Sequence, residues 1–167
     1  MFTIRKAAVS DAKNLGMIHA LSWKKAYEGI VPKEILHKIT PEKRAQFFKK
    51  ALTLQWEEDY LLTVDDLPAG LLCLGKARDE DCKDTAGEIW GIYLHPDFYG
   101  QGYGRVLLDY GLSELQKRGY ESVLLWVLKD NIHAIQFYEH IGFCKEGAEK
   151  DLFIGKPLTE VRYSMNL

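Results

Sequence analysis

The chain has 167 residues, a hydrophobic fraction of 47%, a charged fraction of 28% and a formal net charge of −2, the profile of a globular protein the length of one domain, 1–167. Lys+Arg 22 against Asp+Glu 24 leaves no basic excess, which excludes nucleic acid as a partner; the pairs Lys24-Lys25 and Lys49-Lys50 read as solvated helix faces. No apolar run approaches the ~20 residues of a membrane span, and Cys73, Cys82 and Cys144 lack disulfide or zinc spacing, so a cytoplasmic protein with no membrane partner is expected.

Phe2 to Lys6 opens as a strand rather than as an apolar leader. Ser10 or Asp11 then caps a helix whose apolar stripe is Leu15, Ile18, Leu21 and Ala26, interrupted by Ser22, with an end near Gly29. Helical segments follow Pro32 and Pro41. Tyr60 to Val64 and Leu71 to Lys76 form a hairpin across the turn-rich stretch Asp65 to Gly70. An acidic loop, Asp79 to Asp84, leads to a strand from Glu88 to Leu94. A helix running to about Arg118 is closed by Gly119. Ser122 to Leu128 is an apolar strand buried on both faces. Asn131 opens a helix that Gly142 ends, and two strands close the chain, the last alternating Val161, Tyr163 and Met165. The sum is an α+β fold: a mixed, mostly antiparallel sheet of about seven strands flanked by about four helices.

Between the strand Glu88 to Leu94 and the following helix lies Tyr99-Gly100-Gln101-Gly102-Tyr103-Gly104-Arg105. Strand, glycine loop and helix start build a nest of N–H groups suited to a phosphate or pyrophosphate. Glycine lets the backbone approach closely and adopt positive φ, and the helix adds unpaired amides and a positive dipole end. A dinucleotide-binding GxGxxG needs glycine where Arg105 stands, and a Walker loop needs GK[ST], so neither fits.

This loop resembles the Q/R-x-x-G-x-G/A pyrophosphate loop of the GNAT superfamily of N-acetyltransferases, with Tyr99 in place of the Gln or Arg. A second block, Asn131, Ala134, Phe137, Tyr138 and Gly142-Phe143, is similar to that family's N-x-x-A-x-x-F-Y-x-x-x-G-F segment. Read bottom-up, Asn131 is also a helix cap and Phe137 a core residue.

The resemblance implies acetyl-CoA as cofactor. It implies coenzyme contacts at Ile92, Tyr93 and Leu94, through Gly100, Gln101, Gly102, Tyr103, Gly104 and Arg105, and at Asn131, Ala134, Phe137 and Tyr138. The two strands around Glu88–Leu94 and Ser122–Leu128 are expected to splay and admit the pantetheine arm. An alkylammonium must lose a proton before it attacks a thioester. Glu88, otherwise a solvated strand-end carboxylate, is the candidate base. Strand alternation places it on one face with Trp90 and Ile92. Tyr138 is the candidate acid.

Trp23, Tyr27 and Glu28 are expected around the acceptor, since aromatic walls with a carboxylate suit a cationic amine. His133 and His140 stand two helical turns apart, about 11 Å, too far to share an ion, so no metal is expected. The leading reading is an N-acetyltransferase for a small-molecule amine, with a homodimer possible. A protein N-terminus or lysine as acceptor, and a non-catalytic acyl-CoA sensor, are the alternatives.

Overall fold

The computed structural model describes residues 1–167. In chain order the elements are β1 (Phe2–Lys6), α1 (Ala12–Ala26), α2 (Lys33–Lys38), α3 (Pro41–Leu54), β2 (Asp59–Val64), β3 (Leu67–Lys76), β4 (Ala86–Leu94), α4 (Tyr103–Lys117), β5 (Ser122–Leu128), α5 (Ile132–Ile141), β6 (Cys144–Phe153) and β7 (Pro157–Asn166). The strands form one sheet in the order β1-β2-β3-β4-β5-β7-β6. Every pairing is antiparallel except β4 with β5.

Each face of the sheet buries its own cluster. On one side Leu107, Leu108 and Leu115 of α4 pack on Leu62, Leu72, Ile89, Val123 and Leu125. On the other, Leu15 and Ile18 of α1 and Phe48 of α3 cover Leu61 and Leu71. Neighbouring residues on β2 and β3 thus point to opposite cores, as the period of two demands.

Two local departures from sequence expectation have clear causes. The β2–β3 turn takes only Asp65 and Asp66, with φ of 47° and 65°. Aspartate tolerates the left-handed region, so a two-residue turn forms and β3 begins at Leu67 rather than Leu71. Pro68, which lacks an N–H to donate, is absorbed where the register shifts after Leu62, a bulge that tolerates proline.

The second departure lies in β4. Cys73 pairs with Gly91 but Leu74 pairs with Ile89, which leaves Trp90 as an extra residue. This bulge breaks the expected alternation. Ile89, Ile92 and Leu94 all pack on the α4 side, whereas Tyr93 packs against the α1–α3 cluster. Ile92 therefore does not share a face with Glu88.

Candidate active site

Strands β4 and β5 pair only from Ala86 to Glu88, opposite Ser122 to Leu124. Beyond Glu88 they diverge, and a cleft of about 1470 Å³ opens between them. Its walls are the second half of β4, Leu125–Leu128 of β5, the glycine loop, the inner face of α5 and the end of α1.

The glycine loop closes one end. Gly100 and Gly102 take φ of 73° and 85°, conformations that side chains resist. Gly102 caps α4, and the first amide after the loop to find an acceptor is that of Val106, on the Gly102 carbonyl at 3.2 Å. The N–H groups of Gly100 through Arg105 donate to no protein acceptor. Six adjacent free amides at a helix N-terminus make a strong anion receptor.

Side chains fix the loop, some from within the cleft and some from behind it. Tyr99 lies with its hydroxyl 3.4 Å from Ser22 Oγ, which explains why a serine interrupts the apolar stripe of α1. Gln101 Nε2 donates back to the Asp97 carbonyl at 2.8 Å. Tyr103 packs edge-on to Phe98 and Phe2. The side chains of Gln101 and Tyr103 thus do not line the cleft, and only their main chain belongs to the nest. The other expected residues, namely Ile92, Tyr93, Leu94, Gly100, Gly102, Gly104, Arg105, Asn131, Ala134, Phe137 and Tyr138, all line it. Asn131 does double duty, its Oδ1 accepting from Ala134 N at 3.3 Å to cap α5.

Midway along the cleft, Tyr138 projects from α5 between Phe137 and Phe143. Burial, reinforced by the neighbouring Tyr93 phenol, raises its pKa above the ordinary value. The phenol is therefore a proton holder and hydrogen-bond donor at neutral pH.

At the apex, Glu88 is only 2% exposed. Its Oε1 accepts from Arg78 Nη2 at 2.6 Å, and its Oε2 accepts from Arg78 N and Nε at 3.0 and 3.3 Å. Three of the roughly four lone-pair positions of a carboxylate are thereby used, which leaves about one for a water. Arg78 in turn stacks 4.4 Å over Trp90.

The far end is aromatic and acidic. Trp23 meets Tyr27 edge-on at 4.6 Å, while Glu28 sits exposed at the rim. Trp126 donates its indole N–H to Asp79 Oδ2 at 2.8 Å. Lys150 reaches Asp79 Oδ1 at 2.5 Å and lies 3.9 Å over the Trp126 ring.

Sequence reasoning missed Arg78, Asp79, Lys150 and Glu160 as cleft residues. The available signal was β7's alternation: with Val161 and Tyr163 inward, Glu160 falls on the opposite face. Alternation identifies a face without revealing what lies across it.

A family model described as "Acetyltransferase (GNAT) family" matches residues 22–143. The chain is 28% identical over 144 residues to the uncharacterized N-acetyltransferase YuaI of Bacillus subtilis, covering 83% of this chain and 78% of that one. It is 38% identical over 66 residues to a mycothiol acetyltransferase of Geodermatophilus obscurus, but spans only 21% of that longer protein and 40% of itself. The PaiA N-acetyltransferase of Thermoplasma acidophilum, crystallised with coenzyme A, shares the fold with a TM-score of 0.78 at 20% identity, over 100% of this chain and 99% of that one. With the family model covering most of its length, this chain belongs to the acetyltransferase (GNAT) family and is an N-acetyltransferase that uses acetyl-CoA.

Proposed function

We propose that the chain acetylates the primary amine of a small cationic molecule. The observation that carries this reading is the walled, aromatic and acidic far end of the cleft. There the segment after α1 crosses to the β6–β7 hairpin: Val31 and Leu36 pack with Leu128 and Leu158, flanked by Trp23, Tyr27 and Ile154. Such a wall favours a compact acceptor over an extended peptide, and aromatic faces beside carboxylates favour a cation. The match to a mycothiol acetyltransferase is in keeping with a small-molecule acceptor.

The residues present fit acetyl-CoA: six free amides for a diphosphate, and unpaired strand edges for an amide-bearing arm. The bound thioester supplies an activated acetyl group. Gly100 to Arg105 would grip the phosphates, and the edge of β4 around Ile92 and Leu94 would align the arm. Holding both reactants in one cleft removes much of the entropic barrier.

Tyr138 would donate a hydrogen bond to the departing sulfur. Because its pKa is raised, that bond stabilises charge rather than delivering a proton ahead of bond cleavage. Glu88, held in place by Arg78, would keep a water on its remaining lone pair and take a proton through it.

Thiol release from acetyl-CoA, followed over a panel of primary amines and N-terminal peptides, tests the reading. Turnover on small alkylamines is expected. Turnover on peptides alone would make the protein a polypeptide modifier, and tight coenzyme binding without turnover on any amine would make it a sensor.

A further inference from the structure

One carboxylate at the acceptor end has no hydrogen-bond or ion-pair partner. Glu160 lies on β7, paired with Leu128 on one side and Lys150 on the other, and it lines the cleft. The charged and titratable groups around it are Arg78 from the β3–β4 loop, Glu88 and Tyr93 from β4, Lys150 from β6, and Tyr27 after α1.

Both neighbouring cations are engaged elsewhere. Arg78 is bidentate on Glu88 and stacked on Trp90. Lys150 bonds Asp79 and covers Trp126. The Glu160 carboxylate makes no hydrogen bond or ion pair within the protein, although the residue is half-buried. A desolvated anion without a partner costs stability, and a cationic ligand would offset that cost.

We infer that Glu160 is the carboxylate that receives the acceptor's ammonium group and takes its first proton. The inference rests on the N-acetyltransferase reading above and assigns the direct base within it. The ammonium gives one proton to Glu160. The freed lone pair forms the C–N bond to the acetyl carbon, the C–S bond breaks, and its electron pair leaves on sulfur. The nitrogen's second surplus proton departs through the water on Glu88. Solvent then protonates the thiolate while Tyr138 holds it by a hydrogen bond.

Burial raises the Glu160 carboxyl above the usual carboxylate range, Lys150 and Arg78 pull it down, and Glu88 pushes it up. A base shifted toward neutrality accepts a proton more readily.

The test compares wild type, Glu160→Gln and Glu160→Asp for kcat/KM on a primary alkylamine from pH 5.5 to 8.5, with acetyl-CoA Kd measured alongside. Glu160→Gln should lose about 100-fold in kcat/KM together with the acidic limb of the profile, at unchanged acetyl-CoA Kd. Glu160→Asp should keep that limb at reduced rate. Wild-type kcat/KM and an intact limb in Glu160→Gln would overturn the role of Glu160 while leaving the acetyltransferase reading standing. Absence of turnover by wild type on every amine would overturn both.

Discussion

At the scale of single residues, the proposed reaction makes its demand on a phenol midway along the cleft. Tyr138 must keep its proton, and burial ensures that it does. On the proposed role, Tyr138→Phe would remove one hydrogen bond to the leaving sulfur and nothing from the glycine-loop amides. If Tyr138 has the proposed role, the variant should lower kcat by about 10- to 100-fold while acetyl-CoA affinity in equilibrium titration stays within twofold. A kcat equal to wild type would remove the phenol from the reaction. Asp59 shows the same physics away from the site. It is fully buried with both carboxylate oxygens lacking a hydrogen-bond partner, and burial, then the nearby Glu57 carboxylate, raise its pKa to about 7. Between about pH 4 and pH 7 the folded chain holds a proton that the unfolded chain has released, so stability falls as pH rises through that window. The urea midpoint should be higher at pH 5.5 than at pH 8. Asp59→Asn should flatten that dependence and stabilise the protein at pH 8, by on the order of 1–3 kcal/mol. A dependence that persists in the variant would assign it to another group.

Among the elements, the β6–β7 hairpin and α2 meet at a contact too close for any side chain. Gly155 has a φ of 71°, and a Cβ there would stand 2.5 Å from Ile35 Cγ1 and 3.1 Å from Pro32 Cγ. Gly155→Ala therefore combines backbone strain with overpacking and should cost about 1–3 kcal/mol. Because the same contact walls the acceptor end, KM for the amine should rise while acetyl-CoA Kd does not change. An unaltered KM in a destabilised variant would mean that this wall does not shape the acceptor pocket. The Gly155 contact was invisible in sequence, since it joins positions 120 residues apart through packing alone. The glycine loop was legible for the opposite reason: its strand, loop and helix are contiguous, so local backbone chemistry dictates the nest. The cap at Asn131 and the stop at Gly142 were legible on the same ground. Arg78 and Glu160 were not, because their significance lies in which charges face them across the sheet. The bulge at Trp90 was hidden too, since an inserted residue leaves no mark on a short apolar strand.

For the molecule as a whole, the narrow join between β4 and β5 matters most. The sheet consists of β1 to β4 on one side and β5, β7 and β6 on the other, joined by three parallel residue pairs and by the core beneath α4. Past Glu88 the facing edges of both strands hold main-chain groups without sheet partners, which water or a ligand must satisfy. An arm bearing amides, laid into that gap, would act as a missing strand and tie the two halves together. Binding should therefore stabilise the fold as well as occupy it: at 100 times Kd the gain is about 2.7 kcal/mol for a ligand that binds only the native state. Hydrogen exchange measures where that gain falls. Coenzyme A should slow exchange in three separated stretches, 89–94, 125–128 and 100–105, although only the last contains the phosphate nest. A ligand that touched only the glycine loop would protect 100–105 and leave both strands exchanging as in the free protein. That outcome would refute the placement of the arm between β4 and β5, and with it the alignment of the acetyl group beside Tyr138.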